Sequence, residues 1–114
     1  MAFLIRTIDY TAAGREIVRD RTVDQAGLTI GRAAENDIHL PDLAVEQHHV
    51  RVDLRTDGAI AAKALGTLGF GLDGRVVTEG RIDPRTGGEI ALGAARLAVA
   101  RESDGNISIT IRQV

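Results

Sequence analysis

The chain has 114 residues, a formal net charge of −2, 44% hydrophobic and only 3% aromatic side chains, and no cysteine. That length suits one domain, 1–114, that buries a core without staples, and the missing cysteines exclude a disulfide scaffold, an iron–sulfur site, a thiol nucleophile and a cysteine-bound zinc. The weak negative charge and scarce aromatics argue against nucleic acid as a partner, while the lack of any run near the roughly 18 apolar residues of a membrane span predicts a soluble, cytoplasmic segment with no direct membrane insertion.

In chain order, Phe3 to Tyr10 and Arg15 to Val23 read as a long hairpin joined through Thr11-Ala12-Ala13-Gly14. Val50, Val52 and Leu54 alternate with polar residues, the period of a half-buried strand. Asp57-Gly58, Asp73-Gly74, Gly87-Gly88 and Asp104-Gly105 mark tight turns, because Gly takes positive φ freely and Asp tolerates it. Ala91 to Glu102 is rich enough in alanine for a helix, but Gly93 and the flanking turns favour a strand. Ile107, Ile109 and Ile111 alternate in a last strand, Ile107 to Arg112, that returns the chain to the vicinity of its start. An edge strand there offers a route to self-association, although the polar alternate positions point the isoleucines into the core. Several short strands with regularly placed turns predict an all-β sandwich or barrel. A chain that stops so soon after a strand suits a domain cut from a longer protein.

No Gly-x-Ser-x-Gly elbow, phosphate-cradling Gly-x-x-x-x-Gly-Lys or His-Glu-x-x-His occurs, so the expectation is a non-enzymatic protein with no cofactor. His48 and His49 point to opposite faces if both lie in one strand, which argues against a zinc site built from them and His39.

A series of motifs is more specific. Leu28-Thr29-Ile30-Gly31-Arg32 precedes Asn36-Asp37-Ile38, Asp42, Val45 and His49, then Asp73-Gly74 and Gly87-Gly88-Glu89-Ile90-Ala91-Leu92-Gly93. This order and spacing resembles the forkhead-associated (FHA) domain, whose members read phosphothreonine peptides. The resemblance implies an FHA-like β-sandwich of two mainly antiparallel twisted sheets, serving protein–protein interaction and signalling. By the same resemblance Gly31 ends a strand, Arg32 reaches a phosphate oxygen with its planar fork of donors, and His49 braces the binding loops. Gly66-Thr67-Leu68-Gly69 fills the recognition loop, and Asp73-Gly74 fills the turn beyond it. Thr67 keeps a hydroxyl for a phosphate or for a backbone group.

The departures decide the functional expectation. Where the family places a phosphate-binding serine this chain has Glu46, followed by Gln47, and where it places a peptide-holding asparagine this chain has Leu68. A phosphothreonine carries about −1.5 to −2 charges, and repulsion from a nearby carboxylate takes a large share of the roughly 8 kcal/mol that a micromolar contact supplies. A leucine offers a peptide no donor or acceptor; packing against Phe70 or Leu72 is its structural alternative. Two readings of Glu46 stand: a carboxylate paired with Arg32 across the vacant pocket, or a solvated loop acid. The leading functional reading is an FHA-like module with a degenerate phosphothreonine pocket that binds a protein or peptide without phosphate. The alternative is a working phosphothreonine reader that relies on Arg32 and Thr67.

Overall fold

The computed structural model describes residues 2–113. Twelve strands and no helix make up the described residues: β1 Phe3–Tyr10, β2 Glu16–Val23, β3 Gly27–Gly31, β4 Ile38–His39, β5 Val50–Leu54, β6 Ile60–Ala64, β7 Phe70–Leu72, β8 Arg75–Val77, β9 Glu79–Ile82, β10 Gly88–Leu92, β11 Ala95–Arg101 and β12 Ile107–Gln113. They form a seven-stranded sheet, β2-β1-β12-β11-β10-β7-β8, and a five-stranded sheet, β4-β3-β5-β6-β9. Pairings β1·β12 and β3·β4 are parallel and the others antiparallel. The all-β sandwich expected from the sequence is therefore what this chain adopts.

Alternation builds the core. In β12 the isoleucines at 107, 109 and 111 are buried, and Ile109 and Ile111 pair with Val99 and Leu97 of β11, themselves buried. β-Branched side chains are stiff at χ1 and fit a pleated surface, so this strand loses little freedom on pairing. The opposing sheet contributes Leu28, Ile30, Val50, Val52, Ile60 and Ala62 to the same cluster. Far from offering an edge, β12 lies between β1 and β11, with Phe3 opposite Ile107. The return of the chain to its start is thus a parallel pairing of its first and last strands.

The stretch from Ala91 to Glu102, expected as one strand, is two. β10 stops at Leu92 and β11 begins at Ala95. Gly93 turns the chain at φ 55°, and a side chain there would collide with the Asp42 carboxylate. Asp42 accepts hydrogen bonds from the N–H groups of Ala94 and Ala44, both at 2.9 Å, so the turn between β10 and β11 is held against the segment that joins β4 to β5. The Asp73-Gly74 turn links β7 to β8, with both residues at positive φ (49° and 86°) as a two-residue hairpin requires. Asp73 Oδ1 then accepts the Glu89 N–H at 2.8 Å, tying that hairpin to β10.

Truncating Ile109 to alanine at the centre of the larger sheet should cost about 3 kcal/mol. Thr110→Ala, on the outer face one residue on, should stay within about 0.5 kcal/mol. Urea unfolding of the two variants checks the assignment of faces.

Candidate functional site

Three connections converge at one end of the sandwich: residues 32–37 between β3 and β4, 40–49 between β4 and β5, and 65–69 between β6 and β7. The first two are laced by backbone. Arg32 N–H donates to Glu46 O at 2.9 Å and Ala33 N–H to Gln47 O at 3.1 Å. Gly31 lies so close to the Gln47 carbonyl that a side chain there would collide with it. Asn36, only 7% exposed, donates through Nδ2 to Ala33 O at 2.8 Å and Gln47 O at 2.7 Å. Its Oδ1 lies 3.2 Å from His48 Nδ1.

His49 joins the second connection to the third. The Glu46 N–H donates to His49 Nδ1 at 3.0 Å, so that nitrogen is an acceptor. The proton then sits on Nε2, which donates to the Gly69 carbonyl at 2.8 Å. The ring is 3% exposed and both of its nitrogens are satisfied, a neutral strut between two loops. His48 is exposed, with Nε2 3.4 Å from Glu35 Oε1. No cluster of three metal-ligating side chains occurs among the described residues.

Glu46 forms the second strut. Its Oε1 accepts the Leu68 N–H at 2.7 Å and its Oε2 the Thr67 N–H at 3.3 Å. The loop approaches so closely that any side chain at position 66 would overlap the carboxylate, and Gly66 supplies the space. Hydrogen bonding to the charged form, first from Leu68 and then from Thr67, holds Glu46 below its ordinary value against the opposing effect of partial burial.

The suggested ion pair between Glu46 and Arg32 does not form; neither side chain belongs to an ion pair among the described residues. Arg32 Nε instead donates to Val45 O at 3.1 Å. With the Gln47 amide turned to present its oxygen, that oxygen accepts from both terminal nitrogens of Arg32 at 3.3 Å. Nor is Glu46 a freely solvated acid, since two backbone donors hold it. Leu68, which the sequence allowed to pack on Phe70 or Leu72, is 52% exposed. Thr67 is exposed beside it.

The chain that carries this arrangement, with a Gly-Arg strand end, a buried histidine and a glycine-bounded loop converging at one end of a β-sandwich, matches a family model. The FHA domain model aligns with residues 28–93, more than half of the chain. The chain belongs to the FHA family. A search of curated proteins returned no match. Among solved structures the fold is similar to the FHA-2 domain of a Mycobacterium tuberculosis ABC transporter, with 22% identity, 76% of each chain covered and a TM-score of 0.58. It is also similar to the FHA domain of the Chlamydia trachomatis CT664 protein, at 17% identity, 88% of this chain and 98% of that one, and a TM-score of 0.64. A third is the N-terminal FHA domain of Saccharomyces cerevisiae Rad53p, solved with a phosphothreonine peptide, at 20% identity, 99% and 93% coverage and a TM-score of 0.57.

Asn36 and Gly66 carry more of this FHA site than the sequence reading assigned them. Both stand within the family-like motifs of the sequence, but their contacts are to backbone groups and to a side chain distant in sequence.

Because folding lowers the Glu46 pKa, the unfolded chain binds more protons in the window below the ordinary glutamate value of 4.5. The strut therefore stabilises the loop fully above that value and is lost as pH falls through the depressed one. In an NMR titration the Leu68 amide proton should move upfield with a midpoint below 4.5. The step should vanish in Glu46→Gln, and a midpoint at or above the ordinary value would count against the strut.

Proposed function

We propose that this FHA domain, an interaction module by family, recognises its protein partner without phosphate. The observation that carries the reading is the Glu46 carboxylate seated on the Thr67 and Leu68 N–H groups, with Gly66 making room for it. A fixed negative charge stands in the recognition loop before any ligand arrives. It uses two of the loop's backbone donors, and it repels a dianionic phosphothreonine at short range. Leu68 adds an exposed apolar side chain, and Leu65 beside the loop is also 44% exposed. These suit an unphosphorylated peptide that buries apolar surface. Residues 32, 46, 47, 67 and 68 form the proposed contact surface. Gly31, His49, Gly69, Asp73 and Gly74 hold it in shape, and the reading needs no catalytic group or cofactor.

One observation favours the other reading. No carboxylate neutralises Arg32 among the described residues, so its guanidinium still has charge to offer an anion. A phosphothreonine reader using Arg32 and Thr67 would have to displace Glu46 from its two donors.

Capture from a degenerate phosphothreonine peptide library, set beside its unphosphorylated counterpart, separates the two. Equal or absent capture is expected, and selective phosphopeptide capture that Arg32→Ala abolishes would contradict the proposal. Glu46→Ser with Leu68→Asn should gain phosphothreonine binding, again lost on Arg32→Ala. Absence of that gain would mean the path of the loop, and not its charge, is the obstacle.

A further inference from the structure

We propose that the outer face of the seven-stranded sheet is a second docking surface, for an acidic segment of a partner protein whose carboxylates settle over Arg96 and Arg112. These two arginines are direct partners in the β11·β12 register. Their neighbours along the strands, Ala95, Leu97 and Ile111, are buried in the core, so alternation turns both guanidinium groups to the outer face. Like charges placed directly opposite destabilise a strand pair. Neither arginine has a carboxylate within salt-bridge reach among the described residues. Arg96 Nη1 donates instead to the carbonyls of Gly93 and Ala95 at 3.0 and 2.9 Å, which orients it and leaves its charge in place.

The acids on this face do not relieve the pair. Asp20 is bound by Arg6 at 2.8 Å, and Glu16 and Glu89, each one row from the arginines on opposite sides, opposite Tyr10 and Ala98, form no ion pair with them among the described residues. Along their own row the neighbours of the two arginines are apolar. Continuing the row beyond Arg112 leads to Ile8 and then Val18, which is 46% exposed. In the other direction it passes Ala91 and Gly71 to Val76, which is 84% exposed. The row thus reads apolar, two cations, small residues, apolar across the sheet. Ala91 and Ala98 let a partner backbone come close, and paired guanidinium forks bind carboxylates through charge-assisted hydrogen bonds. Charge complementarity selects the acidic segment, and the flanking valines select apolar residues on either side of its acids. This surface does not depend on how the phosphate loops are read.

The test is an NMR titration of the labelled chain with an unphosphorylated peptide of two adjacent aspartates flanked by leucines, and with its asparagine counterpart. Saturable shifts at Ala91, Arg96, Ala98 and Arg112 are expected, with binding roughly tenfold weaker for the asparagine peptide and for the Arg96→Gln/Arg112→Gln variant. Ala98→Glu, which places an acid beside the arginines, should weaken binding similarly, and Arg32→Ala should leave it unchanged. Unfolding midpoints no lower than that of the parent chain show that the variants stay folded. Shifts that are absent from this face, indifferent to the double variant or confined to residues 65–69 would overturn the proposal.

Discussion

Everything at the loop-bearing end of the sandwich hangs on how the segment 40–49 is tied to its neighbours, because it touches each of the other connections there. Asp42 grips the turn between β10 and β11 through the Ala94 N–H. Gln47 O receives the Asn36 amide from the preceding loop. His49 and Glu46 reach the following loop, one donating its Nε2–H to the Gly69 carbonyl and the other accepting hydrogen bonds from two N–H groups. Loop backbone that leaves a sheet must find partners for its polar groups, and backbone and side chains of this one segment supply many of them. The shape of the site is therefore set before a ligand binds, which lowers the ordering cost of association.

Within that frame the two struts differ in kind. The imidazole of His49 is neutral, buried and satisfied at both nitrogens, so it fixes geometry without adding charge. The carboxylate of Glu46 fixes geometry and adds a negative charge against the loop 65–69. Its pKa is lowered first by the Leu68 N–H, which favours the charged carboxylate. Gly66 belongs to the same adaptation, since no other residue would let the loop close on Glu46. Arg32, held by the Val45 carbonyl and Gln47, stands apart from this contact and keeps its own charge.

The sequence made much of the fold legible for physical reasons that can be named. Isoleucines at 107, 109 and 111 alternate because one face is buried, and Asp73-Gly74 signals a hairpin because its φ angles favour those residues. The split at Gly93 was hidden: alanine and leucine fit strand and helix alike, and the turn is held by Asp42, distant in sequence. Several residues named from the sequence for the candidate site do meet at one end of the sandwich, but their pairings were opaque. Opposite charge made Arg32 the natural partner for Glu46, yet backbone N–H groups are donors that no residue letter displays, and two of them took the carboxylate. Leu68 was a similar case, because its side chain suggested packing while its N–H does the structural work.

The most direct test is a crystal structure of the free domain grown at neutral pH from concentrated sulfate or phosphate, which presents the loops with an abundant tetrahedral anion. The account expects Glu46 on the Thr67 and Leu68 N–H groups, with no anion on that loop. A carboxylate swung into solvent, with sulfate or phosphate on those N–H groups and on Arg32, would contradict it.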